Sequence, residues 1–101
     1  MIEKLEFTTV DGSHKPGDVE VYALSTCGHC RRALNFLDNN NVQYRYVYVD
    51  LLPVEDKNQV KDDLKNNFPE SRVAFPFLVI DGSKQLTGFM EDEWKNILNL
   101  K

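Results

Sequence analysis

The two cysteines of the chain, Cys27 and Cys30, are separated by only two residues, and this spacing constrains the fold more than any other feature. Residues 19–24, just before the pair, are largely apolar and alternate like a strand as far as Ala23. Residues 31–39, just after it, place apolar side chains at helical spacing. The sequence therefore predicts both thiols at a strand-to-helix junction, on the first turn of the helix, a context that is typical of redox cysteines.

The size and composition of the chain narrow the classes of protein to which it can belong. Its 101 residues, 42% hydrophobic and 11% aromatic, predict one domain over residues 1–101, in which residues 1–18 form an N-terminal extension. The net charge of −4 argues against nucleic acid or an anionic membrane as a partner. No apolar run approaches the roughly 20 residues that span a bilayer, and residues 1–6 lack the apolar core of a signal peptide. We therefore expect a cytoplasmic monomer.

The order of the predicted elements alternates strands with helices. The strand at 19–24 and the next one along the chain are joined by a helix, so they should be parallel through a right-handed crossover. A strand predicted at residues 1–10 could pair with residues 19–24 as an antiparallel hairpin, which leads to a mixed sheet with helices on both faces. The remaining predicted elements are a strand at 43–49, a helix at 54–67, strands at 77–80 and 84–87 joined as a hairpin, and a helix at about 91–100.

This order, the chain length and the position of the C-x-x-C resemble the thioredoxin superfamily, and specifically its short glutaredoxin-like branch. The resemblance covers about residues 19–101. It implies an α/β thioredoxin fold, with a central mixed four-stranded sheet flanked by three helices, to which the predicted N-terminal strand is added.

The helix that follows the first cysteine predicts different roles for the two thiols. Dithiol exchange needs a thiolate, because the thiol form hardly attacks a disulfide. Cys27 falls where the helix begins, so unpaired backbone N–H groups and the positive end of the helix dipole should stabilise its charge and lower its pKa. Cys30, one turn further along, would then be the resolving thiol. Gly28 has no side chain and is therefore expected to leave Cys27 accessible to a bulky disulfide.

Three basic residues beside the cysteines are candidates for tuning their reactivity. A protonated imidazole at His29 would favour the thiolate and make the disulfide a better oxidant, and the C-G-H-C loop resembles that of protein disulfide isomerases. Arg31, together with Arg32, could add positive potential near Cys27. The alternatives are that His29 is an exposed loop residue without a partner and that the arginines are merely solvated; the sequence leaves both open.

Two further segments match the substrate-binding positions of the superfamily. Phe75 and Pro76 resemble the pair in which a cis-proline faces the cysteines and presents backbone groups to a substrate strand, although Phe75 stands where glutaredoxins usually have valine. Thr87, Gly88 and Phe89 stand where glutaredoxins use a double glycine and an acidic residue to hold glutathione. This stretch is closer to the S-G-F-x-x-D run of NrdH-type redoxins, which are reduced by thioredoxin reductase instead of glutathione.

The resemblance thus implies a thiol–disulfide oxidoreductase without a bound cofactor beyond its own Cys27–Cys30 disulfide. We expect its partners to be a disulfide-containing protein, with ribonucleotide reductase as a candidate, and a reductase such as thioredoxin reductase. Three alternatives stay open: a glutaredoxin that takes electrons from glutathione, a dimer that binds a metal or iron–sulfur cluster between two such loops, and a domain with a structural disulfide. One C-x-x-C supplies only two of the four ligands of a closed metal site, so we assign no metal ligand.

His14 and three tyrosines are not predicted to take part in the function. His14 lies in a loop rich in turn residues and is expected to be solvated. The tyrosines at positions 44, 46 and 48 share one face of the strand at 43–49, and packing is the expected reason for their alternation.

Overall fold

In a computed structural model, which describes residues 5–100, one mixed sheet of five strands organises the chain. The order of the strands across this sheet is β1-β3-β2-β4-β5. The strands are β1 (Thr8–Val10), β2 (Val19–Ala23), β3 (Tyr44–Tyr48), β4 (Phe77–Ile80) and β5 (Lys84–Thr87). The helices are α1 (Gly28–Asn39), α2 (Val54–Asn67) and α3 (Glu91–Ile97), with a short 3-10 turn at Val49–Leu51.

The central strand β2 lies between two neighbouring strands, β3 and β4. It runs parallel to β3, to which α1 connects it, and antiparallel to β4. Its middle residue Val21 lies opposite Tyr46 on one side and opposite Leu78 on the other. The parallel pair, the β4–β5 hairpin and the mixed sheet of the thioredoxin fold are therefore confirmed.

The predicted hairpin between residues 1–10 and 19–24 is wrong. The N-terminal strand exists, but β1 pairs antiparallel with β3, with Thr8 opposite Tyr46. Both edges of β2 are already occupied by β3 and β4, so the extra strand can join only at the outer edge of the sheet. The first four residues of the predicted strand lie outside the described residues.

The sheet separates two apolar cores, because alternate side chains of a strand point to opposite faces. On the side of α1 and α3, the core includes Val21, Leu37 and Trp94. On the side of α2, Tyr22 packs with Leu64 and neighbouring apolar residues. The predicted bounds of α2, residues 54–67, are confirmed, and burial of Trp94 fixes α3 against the sheet.

Two helices end on an asparagine in the left-handed conformation. Asn41, which the sequence predicted as a helix stop, has φ +56°, and the N–H of Val42 donates to the C=O of Leu37 at 3.0 Å. Asn99, with φ +58°, terminates α3 in the same way. Asparagine tolerates this conformation better than most residues, which explains why α3 ends before the predicted residue 100.

Candidate active site

Cys27 is the N-cap residue of α1, which begins at Gly28, three residues earlier than predicted. Its backbone is extended (φ −97°, ψ 118°), and its Sγ accepts a hydrogen bond from the N–H of Cys30 at 3.2 Å. The side chain of an N-cap residue usually accepts a hydrogen bond from a backbone N–H of the first turn. Here the sulfur of Cys27 is that acceptor. The sulfur therefore faces the unpaired amides and the positive end of the helix dipole, an environment that favours negative charge.

Cys30 lies one turn further along α1 and is fully buried, whereas Cys27 is partly exposed. Both thiols are free. The N–H of Leu24 donates to the Sγ of Cys30 at 3.4 Å. Burial, followed by the hydrogen bond with Cys27, raises the pKa of Cys30 to about 12. The two thiols thus have the asymmetry that a nucleophile and a resolving thiol require.

A carboxylate that the sequence analysis did not identify holds the loop before Cys27. Asp50, in the turn after β3, accepts the backbone N–H of Ser25 at 2.8 Å and the hydroxyl of Ser25 at 2.5 Å. These two bonds hold the pKa of Asp50 below its usual range. A signal was available in the sequence, because Asp50 follows β3 and the carboxyl ends of parallel strands meet at one edge of the sheet.

The residues proposed to tune the thiols occupy the exposed start of α1. His29 is exposed and has a partner, because its Nδ1 accepts a hydrogen bond from the guanidinium of Arg32. Arg31 is also exposed and lines a cavity with Cys27. Gly28 faces open space, since a Cβ at this position would meet only the end of the Arg32 side chain, at 4.0 Å.

The predicted cis-proline is present, since the Phe75–Pro76 peptide bond is cis. Phe77, the next residue, lies opposite Tyr22 near the carboxyl end of β2, so Pro76 lies at the sheet edge from which the cysteine loop departs. The N–H of Gly88 donates to the C=O of Pro76 at 2.8 Å. The structure therefore brings the two predicted substrate-binding segments, 75–76 and 87–89, together.

The polar groups of the 87–89 segment are largely engaged within the protein. The C=O of Gly88 accepts the indole N–H of Trp94 at 3.0 Å, and the hydroxyl of Thr87 bonds to the C=O of Arg72 at 3.1 Å. Phe89 packs its ring against Trp94, with the centroids 5.1 Å apart. Phe89 is thus largely a packing residue, while Gly88 forms the tie to Pro76.

A cavity of about 270 Å³ opens on the other side of α1, and Cys27 lies in its wall. The three alternating tyrosines of β3 line it. Packing accounts for Tyr44, which is buried and donates its hydroxyl to Asp38 at 2.8 Å. Tyr46 and Tyr48 are only partly buried, so the expectation of simple packing is incomplete for them.

His14 is not the solvated residue that the sequence predicted. It is half-buried, its Nε2 lies 2.6 Å from the C=O of Leu98, and its backbone bonds to Asn41 and Gln43. It fastens the N-terminal loop to the end of α3 and to the start of β3. Loop composition could not show this, because the partners are distant in the chain.

Residues 5–100 contain neither a metal-binding cluster of side chains nor a membrane-spanning helix. No three His, Cys, Asp or Glu side chains in this part of the chain are grouped as a metal-ion site. Within the same residues, no helix combines the length and apolar character needed to cross a membrane.

The family model described as glutaredoxin matches residues 19–84 of the chain. No curated protein sequence matches the chain. Among solved structures, a glutaredoxin from Methanosarcina mazei Go1 is 31% identical, with a TM-score of 0.80, over 96% of this chain and 91% of its own.

Two further solved structures extend this similarity. A methanoredoxin from Methanosarcina acetivorans is 30% identical, with a TM-score of 0.76, over 85% of this chain and 88% of its own. A glutaredoxin from Archaeoglobus fulgidus is 29% identical, with a TM-score of 0.72, over 81% of this chain and 86% of its own.

Proposed function

The chain belongs to the glutaredoxin family of thiol–disulfide oxidoreductases, and on that premise we propose that its Cys27–Cys30 dithiol reduces disulfide bonds in other proteins. One observation supports this proposal above the others. The Sγ of Cys27 is partly exposed at the start of α1 and accepts an N–H bond, while the Sγ of Cys30 is buried directly behind it.

The proposed reaction proceeds in two exchanges. The Cys27 thiolate attacks one sulfur of the substrate disulfide, that S–S bond breaks, and the departing substrate thiolate takes up a proton. Cys30 then gives up its proton and attacks the Cys27 sulfur in the mixed disulfide. The second substrate thiol leaves, the Cys27–Cys30 disulfide forms, and two electrons have passed to the substrate.

The raised pKa of Cys30 ensures that Cys30 attacks only after Cys27 has done so. A thiol with a pKa of about 12 is almost entirely protonated at neutral pH. Its sulfur becomes a nucleophile only when a base beside it accepts the proton, and the leaving substrate thiolate is such a base. Cys30 is therefore inactive towards outside disulfides until a mixed disulfide has formed on Cys27.

The substrate chain is proposed to bind across the segments 75–76 and 87–89. Phe75 and Pro76 lie at the sheet edge beside the cysteine loop, and the bond from Gly88 to Pro76 fixes their mutual position. Phe75 contributes the half-buried rim of this surface. Backbone groups at such an edge can bind an extended segment by adding a strand.

We assign a thioredoxin reductase-type protein as the electron donor. The chain has a single glycine in the 87–89 segment, and both backbone polar groups of Gly88 already have partners, Pro76 and Trp94. The hydroxyl of Thr87 is also engaged. These contacts leave the segment with few free groups for a small ligand such as glutathione. Ribonucleotide reductase is the protein disulfide that we propose as a target.

A comparison of two reducing systems tests the donor. The oxidised protein is offered NADPH with thioredoxin reductase and, separately, NADPH with glutathione and glutathione reductase, and NADPH consumption is followed in the presence of oxidised ribonucleotide reductase. We expect turnover with the first system only. The matched control is Cys27→Ser, which should be inactive in both. Turnover with glutathione alone would support the glutathione-dependent alternative, and inactivity towards every disulfide would contradict the proposed function.

A further inference from the structure

The cavity beside Cys27 forms a surface separate from the substrate-binding segments already proposed. We call it the tyrosine groove and define it by Cys27 and Arg31 at one end, Tyr46 and Tyr48 along its wall, and Tyr44 with Asp38 at the other end. Val10 of β1 also lines it. Because β1 and β3 lie on one side of β2, and β4 and β5 on the other, the groove and the 75–76 segment flank the nucleophile from opposite directions.

The wall of the groove is a continuous aromatic surface. The ring centroid of Tyr46 lies 6.0 Å from that of Tyr44 and 5.2 Å from that of Tyr48. Among residues 5–100, no side chain or backbone group is hydrogen-bonded to the hydroxyls of Tyr46 and Tyr48. Partly exposed tyrosines of this kind offer an apolar face for a methylene stem and a polar tip for hydrogen bonding.

The Cys27 end of the groove carries a positively charged side chain. Within the described part of the chain, the guanidinium of Arg31 forms no hydrogen bond or ion pair. Burial raises the pKa of the nearby Tyr48, and the charge of Arg31 opposes this shift. The first turn of α1 has no acidic residue. Two carboxylates lie nearby, but neither forms an ion pair with Arg31: Asp38, at the other end of the groove, accepts the hydroxyl of Tyr44, and Asp50 accepts two bonds from Ser25.

The protein as a whole carries a net charge of −4. An acidic side chain of a partner would therefore be repelled by the net charge but attracted by the guanidinium of Arg31 beside Cys27. A guanidinium also matches a carboxylate geometrically, since its N–H groups can donate two parallel bonds. The cavity, at about 270 Å³, is slightly smaller than the roughly 300–1,000 Å³ of sites that enclose a small molecule. It therefore has room for one side chain.

We propose that the tyrosine groove binds an acidic side chain next to the target cysteine of the substrate. The stem of this side chain packs on Tyr46 and Tyr48, and its carboxylate pairs with Arg31 while Cys27 attacks the adjacent sulfur. The proposal rests on the proposed function and specifies its substrates: disulfides whose cysteine is flanked by Asp or Glu. Complementary charges mainly raise the rate of encounter and the selectivity, so the effect is expected in the first exchange.

The test measures that first exchange alone. In the Cys30→Ser protein, Cys27 attacks a peptide disulfide, a mixed disulfide forms and one peptide thiol leaves, but nothing resolves the product. Two symmetric peptide disulfides serve as probes, identical except that the residue after the cysteine is Glu in one and Gln in the other. Samples are quenched with acid and the mixed disulfide is quantified by mass spectrometry. An ionic strength of about 0.15 M limits charge effects to about 8 Å.

We expect the Glu peptide to react about fivefold faster than the Gln peptide, a ratio in the range of a well-placed exposed ion pair. In the Cys30→Ser background, Arg31→Gln should bring the ratio to about one, and Arg31→Lys should restore part of it. Arg32→Gln is the matched control. Arg32 is the next residue, but it contacts His29 and lines the cleft between α1 and α3, so the ratio should persist.

A second measurement does not depend on any Arg31 variant. With Arg31 intact, raising the ionic strength to about 1 M shortens the screening length to about 3 Å and should reduce the ratio towards one. Equal rates for the two peptides, a ratio that survives Arg31→Gln, or an equal loss in Arg32→Gln would overturn the proposal. If neither peptide forms a mixed disulfide, the proposed function itself fails, and this result is distinct from equal rates.

Discussion

The backbone N–H of Cys30 donates a hydrogen bond to the Sγ of Cys27 at 3.2 Å, so the residue that carries the buried thiol also supports the exposed one. This bond is an N-cap contact and forms only because the chain turns into α1 directly after Cys27. Spacing and reactivity are therefore linked: the two intervening residues place one sulfur outside the helix start and the other inside the first turn.

The first prediction concerns the reactivity of the single-cysteine variants. At pH 7, Cys30→Ser should be alkylated by iodoacetamide at least about tenfold faster than Cys27→Ser, because burial raises the pKa of Cys30 to about 12 and leaves it protonated. Alkylation rates from pH 5 to 10 provide the measurement. The denatured variants serve as controls and should react alike. Faster alkylation of Cys27→Ser would contradict the assignment of nucleophile and resolving thiol.

The same pKa shift predicts a loss of stability in alkali. The folded state raises the pKa of Cys30 above the value of about 8.5 for an unfolded cysteine, so its contribution is complete below pH 8.5 and declines as the pH rises towards 12. The reduced protein should lose about 2 kcal/mol by pH 10 relative to Cys30→Ala. Urea unfolding of both proteins at pH 7 and pH 10 measures the difference. An unchanged difference would contradict the burial of the thiol.

Removal of Asp50 should loosen the loop that leads to Cys27. Asp50→Asn should reduce the free energy of unfolding by about 1 kcal/mol at pH 7, because the amide keeps one acceptor oxygen for Ser25 but loses the second acceptor and the charge. The folded state lowers the pKa of Asp50, so the contribution of its charge is present above the unfolded value of about 3.9 and is lost as the pH falls below it. Wild type and Asp50→Asn should therefore converge in acid, as the pH falls below that value.

Ser25→Ala is the matched control for Asp50→Asn. It removes the hydroxyl bond and keeps both the bond from the backbone N–H and the charge of Asp50, so its effect at pH 7 should be similar in size. Denaturant unfolding at several pH values compares the two variants. Unchanged stability in both variants would contradict the contact between Ser25 and Asp50.

Two glycines should respond in opposite ways to alanine. Gly88 has φ +79°, and a Cβ there would contact nothing within 4 Å, so Gly88→Ala should lose about 1–2 kcal/mol from backbone strain alone. Gly28 lies in the first turn of α1 without a positive φ and with open space around it, so Gly28→Ala should be neutral or slightly more stable. Thermal unfolding of the two variants checks this pair, and equal losses would contradict it.

Local sequence patterns were sufficient for the elements whose partners are fixed by short connections. The bounds of α2 followed from apolar residues such as Val60 and Leu64 at a spacing of four, and the β4–β5 hairpin followed from its turn residues. The partner of β1 did not follow, because alternation indicates which face of a strand is buried but not which strand lies beside it.

Long-range polar contacts were the other part that local sequence patterns did not indicate. Ser25 and Asp50 are 25 positions apart in the chain, and His14 and Leu98 are 84 positions apart. No local periodicity indicates hydrogen bonds between residues so distant in the chain. The alternation of Tyr46 and Tyr48 likewise predicted a shared face without indicating that part of this face remains open beside Cys27. The cysteine pair was identified because its signal is local: the C-x-x-C spacing and the strand and helix patterns directly beside it.

The position of β1 places one wall residue of the tyrosine groove outside the stretch of chain that carries the thiols. Both cysteines and the Phe75–Pro76 pair lie within residues 19–84, the stretch that matches the family model, whereas β1 precedes it and contributes Val10 to the tyrosine groove. Changes at Val10 can therefore reshape the groove without touching either thiol. Evolution, or an engineer, could adjust the shape of this groove by exchanging one short edge strand while Cys27, Cys30 and Arg31 stay constant.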